Sequence, residues 1–102
     1  MENNFPLEID ENKLTLTLYI SGMSPKSMEA IENIKRICSE NLGTQFELEI
    51  IDLYRHPELA SEQKIIFSPS LIKNSPLPKA TMVGNFSNRE MVIKGLGIKI
   101  KE

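Results

Sequence analysis

This sequence predicts an α/β domain with the element order βαβαββα, in which helices pack on a mixed sheet. Three observations carry that expectation. Residues 13–20 alternate apolar and polar side chains, residues 25–42 carry an apolar stripe of helical period, and residues 46–51 return to alternation. Beyond them Pro57, Pro69, Pro76 and Pro78 cut the second half into pieces no longer than a strand or a short helix.

Leu14, Leu16, Leu18 and Ile20 alternate with Thr15, Thr17 and Tyr19, so Lys13 to Ile20 reads as the first strand. Gly22-Met23-Ser24-Pro25 supplies a turn, with Ser24 as N-cap and Pro25 at the first helical position, where its missing N–H is no loss. At 100° per residue, Met28, Ala30, Ile31, Ile34, Ile37, Cys38 and Leu42 fall on one half of the following helix. Glu29, Glu32, Asn33, Arg36 and Glu40 fall on the other. Gly43 is a natural C-terminal stop, and Phe46-Glu47-Leu48-Glu49-Ile50-Ile51 forms the next strand. A right-handed β-α-β crossover makes these two strands parallel neighbours.

Pro57 and Glu58 can open a short helix running to about Lys64, which would carry Leu59 and Ala60 inward. From Lys64 to Lys73 the run is too short and too apolar for periodicity to decide. A strand starting at Ser70 after a Ser68-Pro69 bend is the first reading, and a helix around Ile65-Ile66-Phe67 the second. Asn74-Ser75-Pro76-Leu77-Pro78 reads as a turn, and Ala80 to Val83 as a strand that ends at Gly84 and completes a hairpin. Ser87-Asn88-Arg89-Glu90 has the form of a capping box, which starts the last helix at Asn88 with Met91, Val92 and Leu96 as its apolar stripe. Gly95 and Gly97 end it. Ile98 to Glu102 is left as a frayed tail or a latent strand. Residues 1–12, with Phe5, Pro6, Leu7 and Ile9 as their anchoring candidates, read as a mobile arm, and residues 13–102 as a single domain.

At 102 residues, 40% hydrophobic and 25% charged with a formal charge of -2, the chain exerts no global pull on nucleic acid or anionic membranes. No apolar run has the length of a membrane span, and no basic-then-apolar leader opens the chain, so a cytoplasmic protein is expected. The single cysteine, Cys38, can form neither an internal disulfide nor a cysteine zinc site, and its helical face suits a small buried hydrophobe. His56 stands alone before Pro57, where a turn or capping role fits better than catalysis. Glu47 and Glu49 share a strand face, and a solvated face explains them more simply than an acid/base pair. Asp52 and Tyr54 at that strand's end fit hydrogen bonding in a turn. The expectation is a non-enzymatic protein with no catalytic, cofactor-binding or metal-binding set.

The element order with a Ser-Pro bend before the third strand resembles the thioredoxin superfamily, where the turn after strand one carries CxxC and a cis-proline faces it. Here Gly22-Met23-Ser24-Pro25-Lys26-Ser27 stands in place of that motif and Pro69 marks the bend. Six segments resemble the KaiB family of circadian clock proteins. They are Leu18-Tyr19-Ile20-Ser21-Gly22, Ser24-Pro25-Lys26-Ser27, Ile50-Ile51-Asp52-Leu53, His56-Pro57-Glu58-Leu59-Ala60, Ser68-Pro69-Ser70-Leu71 and Gly84-Asn85-Phe86-Ser87-Asn88-Arg89-Glu90.

That resemblance implies a module that acts by binding. Family members adopt the thioredoxin-like fold in one state and, in an oligomeric ground state, a βαββααβ arrangement in which the second half is refolded. The thioredoxin-like monomer docks on the N-terminal ATPase ring of KaiC and sequesters KaiA. Here the implied partner is a KaiC-type ATPase in a clock or a clock-derived timing or stress pathway, with a dimer or tetramer of the chain itself expected. The alternative is a thioredoxin-like adaptor or sensory domain with another partner, such as a histidine kinase pathway component. The implied partner-contact residues are Glu47, Glu49, Ile51, Gly95 and Gly97. Glu49 stands where the family commonly has lysine, Glu47 where it has a small residue, Glu29 and Glu32 where basic residues are common, Ala80-Thr81 for an arginine pair, and Gly97 for aspartate. A partner of standard cyanobacterial charge should therefore bind poorly.

Overall fold

Alternation in the first segment builds β1 (Leu14–Ile20), and the parity of its side chains decides which face each layer of the molecule covers. The computed structural model describes residues 13–99; the N-terminal arm expected over 1–12 and the end of the tail, 100–102, lie outside them. After β1 come α1 (Pro25–Leu42), β2 (Phe46–Asp52), α2 (Pro57–Glu62), β3 (Ser70–Ser75), β4 (Ala80–Val83) and α3 (Arg89–Leu96). The sheet runs β2-β1-β3-β4, with β1 parallel to β2 and antiparallel to β3, and β3 antiparallel to β4. This is the thioredoxin-like arrangement. At Lys64 to Lys73 the strand from Ser70 is formed, after a cis Ser68–Pro69 peptide bond, and no helix covers Ile65-Ile66-Phe67.

The caps of α1 follow the local chemistry. The Ser24 hydroxyl accepts the Ser27 N–H at 3.1 Å, Pro25 occupies the first turn, and Gly43 at φ 62° donates its N–H to Ser39. Ala30, Ile31, Ile34, Ile37 and Cys38 of this helix join Leu14, Leu16, Leu18 and Ile20 of β1, Leu71 of β3, Phe86, and Val92, Ile93 and Leu96 of α3 in one core. Thus α1 and α3 cover one face. Leu18, Ile20, Ile34, Ile37, Leu71 and Val92 are below 2% exposed, each contributing roughly 1.5–3 kcal/mol of transfer free energy. Lys73 points to the same face, 6% exposed, with its ammonium 3.5 Å from the Leu96 carbonyl at the C-terminal end of α3. On the other face α2 covers only one end, where Leu59, Ala60, Ile51 and Ile65 pack on Tyr19, Leu53 and Ile72.

Several local expectations need correction. Met28 is exposed, because it lies about 125° around the helix from the centre of the buried stripe. Asn33, expected in solvent, is buried: its side-chain amide donates to the Asn85 carbonyl at 2.8 Å, so the loop before α3 closes over it. The third strand does not stop before Asn74. Asn74 donates to the Thr17 hydroxyl at 2.9 Å and the Ser75 and Thr15 hydroxyls bond at 2.6 Å, so cross-strand bonds extend the ladder past a register shift at which Asn74 is the extra residue of β3. The last helix is capped by Asn88, not Ser87: the Asn88 side-chain oxygen accepts the Met91 N–H at 3.1 Å, while the Ser87 N–H goes to the Asn85 side chain. Helix α3 buries Val92, Ile93 and Leu96, and Met91 is 63% exposed, about 150° from the middle of that face.

Candidate functional site

Two surface depressions lie along β2, the strand holding three of the residues singled out from sequence. The first sits at the ends of β1 and β2 and measures about 550 Å³, with Met23, Ile50, Ile51, Asp52, Arg55 and His56 in its walls. Asp52 organises it: one carboxylate oxygen accepts the N–H groups of Gly22 and Tyr54, each at 2.9 Å. These two hydrogen bonds hold the Asp52 carboxyl below the usual carboxylate range, aided by the charges of Arg55 and His56. So Asp52 both ties the turn and borders the depression. The Tyr54 ring covers Gly22, where φ is +74° and a Cβ would lie 2.9 Å from the ring, so glycine is required there. His56 occupies the N-cap position of α2 but makes no side-chain cap bond; its Nδ1 is 3.8 Å from the Glu58 carboxylate. Its backbone serves both the turn and the cap, donating its N–H to the Asp52 carbonyl and accepting the Leu59 N–H, while its side chain caps nothing.

The second depression, about 490 Å³, is the part of the sheet face that α2 leaves uncovered. Thr15, Thr17, Glu47, Glu49 and Asn74 line it. Lys13 pairs with Glu47 at 2.9 Å. Among the described residues Glu49 has no such cation within reach; burial, and after it the Glu49 charge, raise the Tyr19 phenol above its ordinary value. Glu47, Glu49 and Ile51 therefore share one strand face, with the two acids exposed and Ile51 half-buried against the α2 cluster.

Gly95 and Gly97 are not part of this surface. Both lie across the sheet, and only one of them ends the last helix: Gly95 is inside α3, and Gly97 follows its last residue. A Cβ at Gly95 would lie 2.8 Å from the Met82 sulfur, so this glycine lets α3 approach β4 closely. Gly97 ends the helix in the left-handed conformation, with φ 70°. The one thiol is also remote from the redox-type position. Cys38 is 0% exposed in the middle of the α1 face, and burial pushes its pKa up to about 11. The turn Gly22-Met23-Ser24-Pro25 carries no cysteine, and the bend at Pro69 has a cis peptide bond.

Residues 17–98 match the family model described as the KaiB domain. The chain belongs to the KaiB family. It is 48% identical over 90 residues to the circadian clock protein KaiB3 of Synechocystis sp., covering 88% of both chains. It is 37% identical over 83 residues to the circadian clock oscillator protein KaiB of Synechococcus elongatus, covering 81% of each. In fold this KaiB-family chain is similar to the N-terminal domain of Synechococcus elongatus SasA, with a TM-score of 0.71 at 19% identity over 92% of this chain and 89% of that one. It is also similar to mitochondrial thioredoxin 3 of Saccharomyces cerevisiae, with a TM-score of 0.66 at 11% identity over 85% and 79%. The thioredoxin-like packing and the KaiB membership expected from the six segments are both found. Sequence reasoning missed the tie between Asn33 and the Asn85 carbonyl, because a buried polar side chain on a helix flank has no periodic signal.

Proposed function

We propose that this KaiB-family chain works by protein–protein binding, as a non-enzymatic regulator of a KaiC-type ATPase in a circadian clock or a clock-derived timing or stress pathway. One observation supports this most: a KaiB domain in the thioredoxin-like arrangement has its single thiol buried inside α1, away from the turn where the redox chemistry of that fold would operate. On this reading Glu47, Glu49 and Ile51 on β2 make one partner contact, and Gly95 and Gly97 at the end of α3, across the sheet from them, make a second. The site of action is the cytoplasm, and the resting chain is a dimer or tetramer. No helix among the described residues is long and apolar enough to cross a membrane.

The test is a binding titration against the cognate KaiC-type ATPase and against a cyanobacterial KaiC, each with ATP and with ADP, while NMR follows the fold state of the chain. Binding to the cognate ATPase is expected. The cyanobacterial ring should bind weakly and gain affinity with Glu49→Lys and with Glu47→Ala/Glu49→Lys at low salt, because like charges across an interface cost up to several kcal/mol. Tight wild-type binding that ignores both changes would show that the acidic face is not at the contact. A thioredoxin-like chain that binds neither ring in either nucleotide state would favour the adaptor reading, in which the acidic hollow meets a basic surface on another protein. Light scattering across micromolar to millimolar concentrations tests the oligomer, and a monomer throughout would exclude it.

A further inference from the structure

The margin of the sheet opposite β2 carries a second surface. Among the described residues strand β4 has β3 as its one strand neighbour. Val83 on it is 54% exposed, and Ile66 and Phe67, at 82% and 65%, line with Val83 a depression of about 190 Å³ on the α2 side. On the α3 side Met82, Val83, Phe86 and Met91 help line another of about 180 Å³. One short edge strand therefore has an apolar hollow on each of its faces.

Its main chain is available as well. The Gly84 N–H donates to the Pro69 carbonyl at 3.0 Å, and Pro69 lies opposite Gly84 when the β3–β4 register is extended by one residue. In an antiparallel ladder, residues turn their N–H and C=O alternately towards and away from the partner strand. Ala80 and Met82 thus face β3, and Thr81 and Val83 present their amides and carbonyls to the open margin. Edge strands are commonly blunted by charge, proline or a bulge. None of the residues Ala80–Val83 is charged or a proline, so among the described residues the shortness of β4 is its one protection.

We propose that the open margin of β4 accepts an extended segment of a partner protein as a fifth strand. The alternation of a strand specifies the chemistry of that segment. One apolar side chain would lie over Ile66, Phe67 and Val83, and the next along the strand would turn to the Met82 and Met91 hollow. The charges specify the flanks. Lys64 is the sole charged residue lining either hollow, and Lys79 immediately precedes β4. An acidic flank is complementary to both. This margin lies three strands from β2, so the added strand would leave the acidic face free, and the proposal stands independently of what that face binds.

The probe is a blocked hexapeptide, Asp-Val-Leu-Val-Thr-Asp, titrated into the isotope-labelled full chain and followed by NMR. Saturable shifts are expected at Ile66, Phe67, Thr81 and Val83, with slowed hydrogen exchange at the Thr81 and Val83 amides. Replacing both aspartates by lysine should weaken binding at low salt. Val83→Lys and, separately, Phe67→Ser should each lower affinity by about tenfold. Both residues are exposed, so the spectra of the variants should keep the wild-type dispersion. Three results would overturn the proposal: no saturable shift at millimolar peptide, shifts confined to other surfaces or unchanged in both variants, or protection of the same amides by raising chain concentration without peptide. The last would make a second copy the occupant.

Discussion

The two halves of this molecule are held by different means. Strand β1, helix α1 and strand β2 form a local unit, in which four residues of β1 and five of α1 enter the main core. The half from α2 onward contributes Leu71, Phe86, Val92, Ile93 and Leu96 to that core, and leaves Ile66, Phe67, Leu77, Val83 and Met91 more than half exposed. The first half is thus internally consistent, while the second depends on it for a surface to pack on. A short strand and a short helix cannot bury their own apolar faces.

The largest expected effect tests the supporting unit. Ile34 is 0% exposed at the centre of α1, and Ile34→Ala should cost about 2–5 kcal/mol in urea unfolding, with protection lost in both halves together. A cost below 1 kcal/mol would mean that the site collapses and that α1 is not the platform.

Val92, 1% exposed on α3, probes the dependent half. Val92→Ala should cost about 1.5–3 kcal/mol, and native-state hydrogen exchange should quicken in β3, β4 and α3 before β1, α1 and β2. Uniform quickening would show that the halves open as one unit.

Asn33 ties the halves by donating to the Asn85 carbonyl, while Arg36 donates to its side-chain oxygen at 2.9 Å. Asn33→Ala leaves that carbonyl without the donor, an expected loss of about 1–2 kcal/mol. Asn33→Asp separates the two bonds. It keeps the acceptor for Arg36 and lacks the amide donor, so it should be destabilised at neutral pH if the Asn85 contact is the important one.

The smallest expected effect is a pH dependence at the Asp52 turn, where the halves join. Its folded pKa is depressed by the Gly22 and Tyr54 N–H bonds. The associated stability is present above the unfolded carboxylate pKa, about 3.9, and is lost as pH falls through the lower folded value. Wild type should exceed Asp52→Asn in urea midpoint at pH 7, and the gap should narrow below about pH 4. A gap constant down to pH 2 would assign the effect to geometry instead of charge.

How much could be read in advance follows the same division. Strand β1, the caps of α1 at Ser24 and Gly43, and the parallel return of β2 were legible because alternation, a cap and a stop agree over thirty consecutive residues or so. The acids at 47 and 49 were legible as an exposed strand face for the same reason. In the second half, Asn88 and Ser87 are both good caps, and only the path of the 85–88 loop selects Asn88. Similarly, Asn74 and Ser75 have turn chemistry, and hydroxyl and amide bonds to Thr17 and Thr15 draw them into β3.

By itself the sequence determined the family, the α/β order and the buried setting of Cys38, since each depends on local pattern or on residues close in the chain. The tertiary structure decided that Asn33 is buried, that Lys73 lies beneath the end of α3, and that Gly95 faces Met82 across the sheet from Glu47 and Glu49. It also decided which apolar residues of the second half stay in solvent. Burial depends on what arrives from distant segments to cover a side chain, and a 3.6- or 2-residue period records only which side chains share a face.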